Sequence, residues 1–284
     1  MTEGGKTFLE QLLDADDVLT VELRPPKADL LGPDSMDAWI DTYHGVRRLV
    51  RKGRFLFLTD NAVDSAEEEN LAHLGANLAG EVQPTSIIPF LTCKHSLEYC
   101  LMYAERAWSQ GFRALTVLGG DQTIGPPRCL PHAFELRQRI RRRVPDLVLG
   151  GWANPHKDPK EQARFLADDR FTAEFWMSQV VSHHSIGIVD AFRKEVEAAG
   201  VSTPGVFGVF FYRSGNPKTL ERLSPFFPVP AEALVREFDK GCYPEEVCAR
   251  SIRALRDAGV RNLYLSNLPM KEAAATVDRI LDCL

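Results

Sequence analysis

Short apolar runs alternate along this chain with longer segments in which apolar residues recur at helical spacing. The short runs are rich in β-branched and aromatic residues, which is typical of buried strands. The predicted strands are Val18–Leu23, Arg54–Leu58, Ser86–Thr92, Ala114–Leu118, Leu147–Gly151, Phe175–Gln179, Gly205–Phe211 and Leu263–Ser266. The predicted helices are Met36–Arg51, Ala66–Leu78, Ser96–Gln110, Pro131–Arg143, Val189–Ala199, Tyr243–Asp257 and Lys271–Leu281. This alternation predicts an α/β fold, a (β/α)8 TIM barrel forming a single domain over residues 1–284, with a doubly wound open sheet as the alternative.

Composition narrows the classes of function. The net charge of −5 gives no support for a nucleic-acid or membrane partner. No apolar run approaches the roughly 20 residues that span a bilayer, and the acidic N-terminal segment does not resemble a secretory signal. The six cysteines form no CxxC pair, so we expect reduced thiols in a cytoplasmic protein. Composition leaves the oligomeric state open.

The most informative single residue is Glu22, near the end of the first predicted strand and just before Pro25 and Pro26. The carboxyl ends of the strands carry the active site in TIM barrels. A buried carboxylate is costly unless it is paired, for instance with Arg24, or held for chemistry. Glu22 is therefore a candidate catalytic acid, with a structural ion pair as the alternative.

The other predicted strands are also followed by polar and aromatic side chains, a set that suits a flat heterocycle bound at its edge and stacked on its face. These residues are Thr59, Asp60, Asn61, Lys94, Asp121, Trp152, Asn154, His156, Gln179, Phe210, Phe211, Tyr212, Ser266 and Asn267. Each has a plainer interpretation: Gln179 could satisfy loop backbone, Asp121 could cap a turn, and the aromatic cluster could be core. Lys94 would serve a Schiff-base lyase, although nothing nearby in sequence lowers its pKa.

Several motifs are missing. The chain has no GxGxxG after its first strand, no GxxxxGK[ST] and no GxSxG, which disfavours a Rossmann fold, a P-loop NTPase and a serine hydrolase. His183 and His184 suggest a metal, but adjacent histidines on one helical turn are expected to point apart, and no HExxH motif is present. No metal is therefore expected.

Five short segments resemble the methylenetetrahydrofolate reductase family, in the right order, between about residues 18 and 268. They are VELRPPK, FLTCKHSLEYCLMYAERAWSQGFRALTVLGGD, FWMSQ, PGVFGVFFY and GVRNLYLSNL. The resemblance implies a TIM barrel, a folate substrate and an oxidoreductase of one-carbon metabolism and methionine biosynthesis. It implies that Glu22 is the catalytic acid, that Asp121 acts in catalysis and holds the pterin, and that Gln179 binds the pterin edge. Tyr212, Phe211 and Phe210 compete as the stacking ring, and cofactor contacts are expected from Thr59, Asn61, Trp152 and His156.

The chain departs from the family where the family binds its flavin. Phe90 and Gly119 stand where the family has a histidine and an arginine, and the segment expected to meet the pyrophosphate contains Asp168 and Asp169. Phosphates require cations or helix N-terminal amides, whereas adjacent carboxylates repel them. We therefore expect direct hydride transfer from NADH or NADPH to 5,10-methylenetetrahydrofolate. The alternatives are the usual FAD-dependent reductase and a folate-binding barrel without catalysis.

Overall fold

The computed structural model describes residues 7–14, 17–60, 71, 78, 80–120 and 125–284. Eight strands within these ranges form a closed parallel barrel in chain order, and β1 pairs with both β2 and β8. The strands are β1 Leu19–Leu23, β2 Leu56–Leu58, β3 Ile87–Thr92, β4 Ala114–Leu118, β5 Val148–Ala153, β6 Phe175–Val181, β7 Gly205–Phe210 and β8 Leu263–Ser266. The TIM-barrel prediction is confirmed, and the open-sheet alternative is wrong because the first and last strands are hydrogen-bonded.

Helices lie between the strands and extend beyond the predicted set. They are Phe8–Leu13, Gly32–Arg51, Leu97–Ser109, Ala133–Arg143, Pro159–Ala167, Ile186–Ala198, Pro217–Leu223, Ala231–Asp239, Pro244–Asp257 and Ala273–Asp282. Phe8–Leu13, Pro159–Ala167, Pro217–Leu223 and Ala231–Asp239 are absent from the predictions because each is short. Of the predicted helix 66–78, only Leu71 and Leu78 belong to the described residues. None of the described helices combines the length and the apolar character of a bilayer span.

Successive residues of each strand face two different cores, as the pleat requires. Val21 and Leu23 pack in a cluster that includes residues of the surrounding helices. Phe57, Met177 and Tyr264 pack in a second cluster inside the barrel. Glu22 lies between Val21 and Leu23, so its side chain points to the barrel interior rather than to the helices.

The N-terminal helix Phe8–Leu13 closes the amino end of the barrel. Thr7 and Glu10 form a capping box at its start, which holds this short segment in helical form. The Phe8 ring lies 5.2 Å from Phe55, 5.6 Å from Phe57 and 5.1 Å from Phe175, centroid to centroid. These aromatic contacts fill the floor, so the amino end of the barrel is closed by apolar packing.

Candidate active site at the carboxyl ends of the strands

Glu22 is half-buried on the interior face of β1 and receives a hydrogen bond of 2.6 Å from the Ser266 hydroxyl to its Oε1. Burial raises the pKa of Glu22, although the Ser266 hydrogen bond and the charge of Arg24 oppose this shift. Desolvation disfavours the charged form, and it is the largest of the three effects. The carboxyl group is thus more easily kept protonated than a surface glutamate, which suits a general acid.

Tyr264 lies on the interior side of β8, near enough to Glu22 for the charge of Glu22 to act on its phenol. Its side chain is fully buried on β8, and its hydroxyl donates a 2.7 Å hydrogen bond to the Ser178 carbonyl. Burial raises the pKa of Tyr264, and the charge of Glu22 raises it further. A Cβ at Gly208 would lie 2.5 Å from Tyr264 Oη, so the ring requires glycine on the neighbouring strand. The phenol and Gly208 together form a rigid support close to the carboxyl group.

Gln179 lies in an irregular part of β6, where the pairing with β7 shifts between Met177 and Val180. Its Oε1 accepts the Val180 backbone N–H at 2.9 Å, and its Nε2 donates to the Phe226 carbonyl at 3.3 Å. The side chain therefore satisfies backbone groups, which is the plainer of the two predicted roles. Of these two hydrogen bonds, the longer one, to the Phe226 carbonyl, is the one that a hydrogen bond to a pterin edge could readily replace.

Tyr212 and Phe211 follow β7 on opposite faces. Phe211 packs in the outer cluster against the helix layer, so the expectation that it contacts a substrate does not fit its position. Phe210 and Tyr212 belong to the inner cluster, with ring centroids 4.9 Å apart. Burial strongly raises the pKa of Tyr212, so its hydroxyl remains protonated as a donor. The pleat therefore selects Phe210 and Tyr212 as the candidate stacking rings.

A cavity of about 190 Å³ opens beside His156 and Tyr212. Val180, His184, Ile188 and Pro228 also line it. The His156 Nε2 lies 2.8 Å from the Val180 carbonyl, which can only accept, so Nε2 carries the hydrogen. The volume is below the roughly 300–1,000 Å³ of typical ligand pockets, so it would hold a ring or a side group, not a whole folate or dinucleotide.

Trp152 supplies a further ring at the mouth. It lies two residues after Gly150, where a Cβ would meet the inner Phe175 ring, so both residues point to the interior side of β5. The indole is 37% exposed, which is high for a tryptophan on a central strand. An exposed indole at this end of the barrel is a candidate stacking surface for a planar ligand.

Thr59 is buried directly after β2, and its backbone N–H donates to the Leu23 carbonyl at 3.1 Å. Asp60, the next residue, accepts the Thr92 backbone N–H at 2.8 Å and the Thr92 hydroxyl at 3.0 Å. The His95 Nε2 lies 2.8 Å from Asp60 Oδ1. Sequence reasoning placed Asp60 at the mouth but missed its pairing with His95, because the two lie on different βα units.

Asn61 and Asp121, predicted for cofactor and pterin binding, fall outside the described residues. Gly119, two residues before Asp121, is described and lies against an arginine of another segment. A Cβ on Gly119 would lie 2.8 Å from Arg128 Cζ, and Arg128 donates to the Gly120 carbonyl. Lys94 packs over Gly120. The Arg128 guanidinium, from the segment after β4, therefore lies against Gly119, the position where the resemblance led us to expect an arginine that the chain lacks.

His183 and His184 do not point apart, contrary to the sequence argument. Their ring centroids are 3.9 Å apart, and both Nε2 atoms face Glu237 Oε1, at 2.8 Å and 3.6 Å. The residues follow β6 in a short 3₁₀ turn, His183–Ser185, and the shared carboxylate of Glu237 draws both rings to the same side. Glu237 comes from the unpredicted helix Ala231–Asp239, so no local sequence signal could have joined the three.

The site residues form two groups across the barrel mouth. Glu22, Thr59 and Ser266 lie in or just after the last residues of the adjacent strands β1, β2 and β8. Trp152, His156, Gln179 and Tyr212 lie in or shortly after the last residues of β5, β6 and β7 on the other side. A ligand that met both groups would lie across the mouth, with the acid on one side and the rings on the other.

Comparison with known proteins supports the fold. No protein-family model and no curated protein matches the chain. An uncharacterized protein from Clostridium thermocellum that binds two copies of 5-methyl-5,6,7,8-tetrahydrofolic acid is similar in structure, with a TM-score of 0.67 and 17% identity over 97% of this chain and 98% of that one. An aldo-keto reductase from Bacillus halodurans gives a TM-score of 0.50 and 12% identity over 93% and 85% of the two chains.

Proposed function

We propose that this barrel binds a reduced folate across its mouth and reduces 5,10-methylenetetrahydrofolate to 5-methyltetrahydrofolate with NADH or NADPH. The observation that carries the proposal is Glu22, a carboxyl group of raised pKa on the interior face of β1. The Clostridium thermocellum protein, which covers nearly the same length of chain and binds 5-methyltetrahydrofolic acid, supports the folate. The likeness is at 17% identity, so the ligand is proposed from the site chemistry as well.

The reaction requires a proton and a hydride. Protonation of N10 by the Glu22 carboxyl group would open the imidazolidine ring and leave an iminium at N5, because an amine leaves poorly unless it is protonated. The hydride from the dihydronicotinamide would then reduce the methylene carbon to a methyl group, giving NAD(P)⁺. The nicotinamide supplies the hydride, and this chain supplies the proton and the alignment.

The two sides of the barrel mouth would bind different parts of the substrate and the cofactor. The pterin would stack on Tyr212 or Phe210 and bring its reacting carbon towards Glu22. Trp152 and His156 would contact the nicotinamide. The cationic groups Arg128 and Lys94, beside Gly119 and Gly120, would face anionic parts of either molecule, since guanidinium and ammonium groups bind carboxylates and phosphates well.

The test uses the purified full chain. 5-Methyltetrahydrofolate binding is measured by calorimetry, and oxidation of NADH and of NADPH is followed with methylenetetrahydrofolate. Saturable binding with nicotinamide oxidation that needs the folate supports the reductase. The visible spectrum of the purified protein is an independent measurement, because a stoichiometric flavin chromophore would support the flavin-dependent mechanism instead. Activity that requires added FAD would support the same mechanism.

A folate-binding barrel without catalysis is the second candidate. The Clostridium thermocellum protein favours it, because that protein binds 5-methyl-5,6,7,8-tetrahydrofolic acid and its likeness to this chain includes no catalytic step. Tight folate binding without nicotinamide oxidation would establish this alternative. Absence of folate binding would remove both candidates.

A further inference from the structure

We propose that His183, His184 and Glu237 form a binding site for a divalent transition metal of the zinc class, at the rim of the cavity beside β6. One ligand atom from each of the three residues lies within 4.8 Å of the others. Two imidazoles and one carboxylate, with one position left for water or a ligand, form a known arrangement for zinc. This proposal does not depend on the folate reductase.

The distances are close to those that a metal requires. Zinc binds nitrogen and oxygen at about 2.0–2.2 Å, so tetrahedral ligand atoms lie roughly 3.3 Å apart. His183 Nε2 lies 2.8 Å and His184 Nε2 lies 3.6 Å from Glu237 Oε1, which brackets this value. Shifts of about half an ångström would bring each of these nitrogens to that separation from Glu237 Oε1, because the rings already face the carboxylate.

Contacts with neighbouring residues orient the three proposed metal ligands and leave one carboxylate oxygen of Glu237 without a hydrogen-bond partner in the described part of the chain. His183 Nδ1 lies 2.8 Å from the Ser251 hydroxyl, an outer partner of the kind that orients metal-binding histidines. Arg250 donates to Glu237 Oε1 at 2.7 Å, whereas Glu237 Oε2 is buried and has no hydrogen-bond partner in the described part of the chain. A buried carboxylate oxygen is costly when it is unpaired. The metal would bind Glu237 Oε1, the oxygen that both imidazoles face, and its charge would stabilise the buried Oε2 of the same carboxylate.

The site opens in one direction. His184 lines the cavity of about 190 Å³, whereas His183 is only 11% exposed and lies behind it. The fourth coordination position would therefore face the cavity, where Tyr212 and His156 also lie. An ion held here could bind a small anionic or carbonyl group that enters the cavity.

The experiment titrates the full chain, stripped with a chelator and desalted, with Co²⁺ and then displaces the cobalt with Zn²⁺. One equivalent of Co²⁺ with visible ligand-field bands is expected. His184→Gln and Glu237→Gln are each expected to weaken binding at least about tenfold, and Ser251→Ala is expected to weaken it less. His44→Gln is the matched control, because His44 and its contact Arg47 both lie on the helix Gly32–Arg51, which carries none of the proposed ligands.

A second measurement uses the unaltered protein, so that a poorly folded variant cannot obscure the result. Zn²⁺ is expected to protect His183 and His184, but not His44, from modification by diethylpyrocarbonate, as read by peptide mass spectrometry. Loss of this protection, or Co²⁺ binding that is equal in His184→Gln and His44→Gln, would show that the cluster is an ion-paired support and would overturn the proposal. Neither outcome bears on folate binding or nicotinamide oxidation.

Discussion

At the scale of single residues, the chemistry depends on how burial and hydrogen bonding compete at Glu22. Burial raises its pKa, whereas the Ser266 hydroxyl and Arg24 lower it. A raised pKa keeps the acid form present at higher pH, and a hydrogen bond to the carboxylate limits the shift. A carboxyl group with a raised pKa is suited to donate a proton during turnover.

Replacement of Glu22 by glutamine keeps the shape of the side chain but removes its proton. We expect turnover to fall by about 10²–10⁴-fold, the usual contribution of a positioned general acid, with little change in folate affinity. Steady-state rates and calorimetric folate binding on the same preparation provide the check. Turnover within a few-fold of the unaltered protein would remove Glu22 as the acid.

Ser266→Ala should shift the pH dependence. Turnover requires protonated Glu22, so it should fall as pH rises through the raised pKa of this group. The Ser266 hydrogen bond lowers that pKa, so its removal should move the alkaline limb to higher pH. The pH profile of kcat measures the shift, and Ser224→Ala, which alters an exposed helix-end hydroxyl, is the control. A limb that moves to lower pH would contradict the assignment.

Most of the side-chain contacts in the candidate site could not be predicted from local sequence. Glu22 could be identified because two prolines mark the end of its strand. The partnership of Asp60 with His95, and the position of Arg128 beside Gly119, each join residues of different segments. Side-chain contacts of this kind depend on the angles between βα units, which no short window of sequence encodes.

At the scale of elements, the pleat of the strands decides which side chains reach the site. The predicted strands β4 and β8 have the bounds that the structure shows, because each is a short apolar run between clear breaks. β7 is a uniform run of aromatic and apolar residues, so sequence alone did not separate Phe211 from Phe210 and Tyr212. Pairing with its neighbours fixes the alternation and turns Phe211 towards the helices.

Gly208 should be intolerant of a side chain. A Cβ there would lie 2.5 Å from both Tyr264 Cζ and Oη, so Gly208→Ala must displace a fully buried ring. We expect a loss of about 1–3 kcal/mol in the free energy of unfolding, as overpacked cores show. Gly187→Ala is the control, because a Cβ has open space there and alanine favours helix. Urea denaturation of both variants is the measurement, and equal midpoints would contradict this account.

The N-terminal helix is a second example at the scale of elements, because its Phe8 ring packs into the floor of the barrel. Phe8 is 3% exposed, so Phe8→Ala should lower the free energy of unfolding by about 3–5 kcal/mol. Leu13→Ala in the same helix changes a side chain that is 63% exposed and should alter stability by at most about 0.5 kcal/mol. If Phe8→Ala proved no worse in urea than Leu13→Ala, the helix would not be the floor.

At the scale of the whole molecule, closure of the barrel brings the two halves of the mouth face to face. β1 and β8 are hydrogen-bonded, so the acid and Ser266 meet although 244 positions separate them. β5, β6 and β7 present their rings from the other side. The proposed folate would contact both halves, and its binding would therefore report on the intact barrel.

A ligand that bridges the mouth should stabilise the whole barrel. Binding to the folded state alone adds about 2.7 kcal/mol at 100 times the dissociation constant. We expect 5-methyltetrahydrofolate to raise Tm in a concentration-dependent way in both the unaltered protein and Glu22→Gln. Differential scanning calorimetry is the measurement. Buffer without ligand and an aromatic acid that lacks a pteridine ring serve as controls. No shift at saturating ligand would argue against the folate site.

The amino-acid sequence by itself determined the strand and helix rhythm, the barrel class and the acid at the end of β1, because these depend on local periodicity and on proline placement. Tertiary structure alone decided which of Phe210, Phe211 and Tyr212 face the mouth, where Arg128 lies, and how Glu237 meets the two histidines. Those contacts arise from strand register and helix packing, in which residues far apart in the chain satisfy each other's charge, volume and hydrogen bonds.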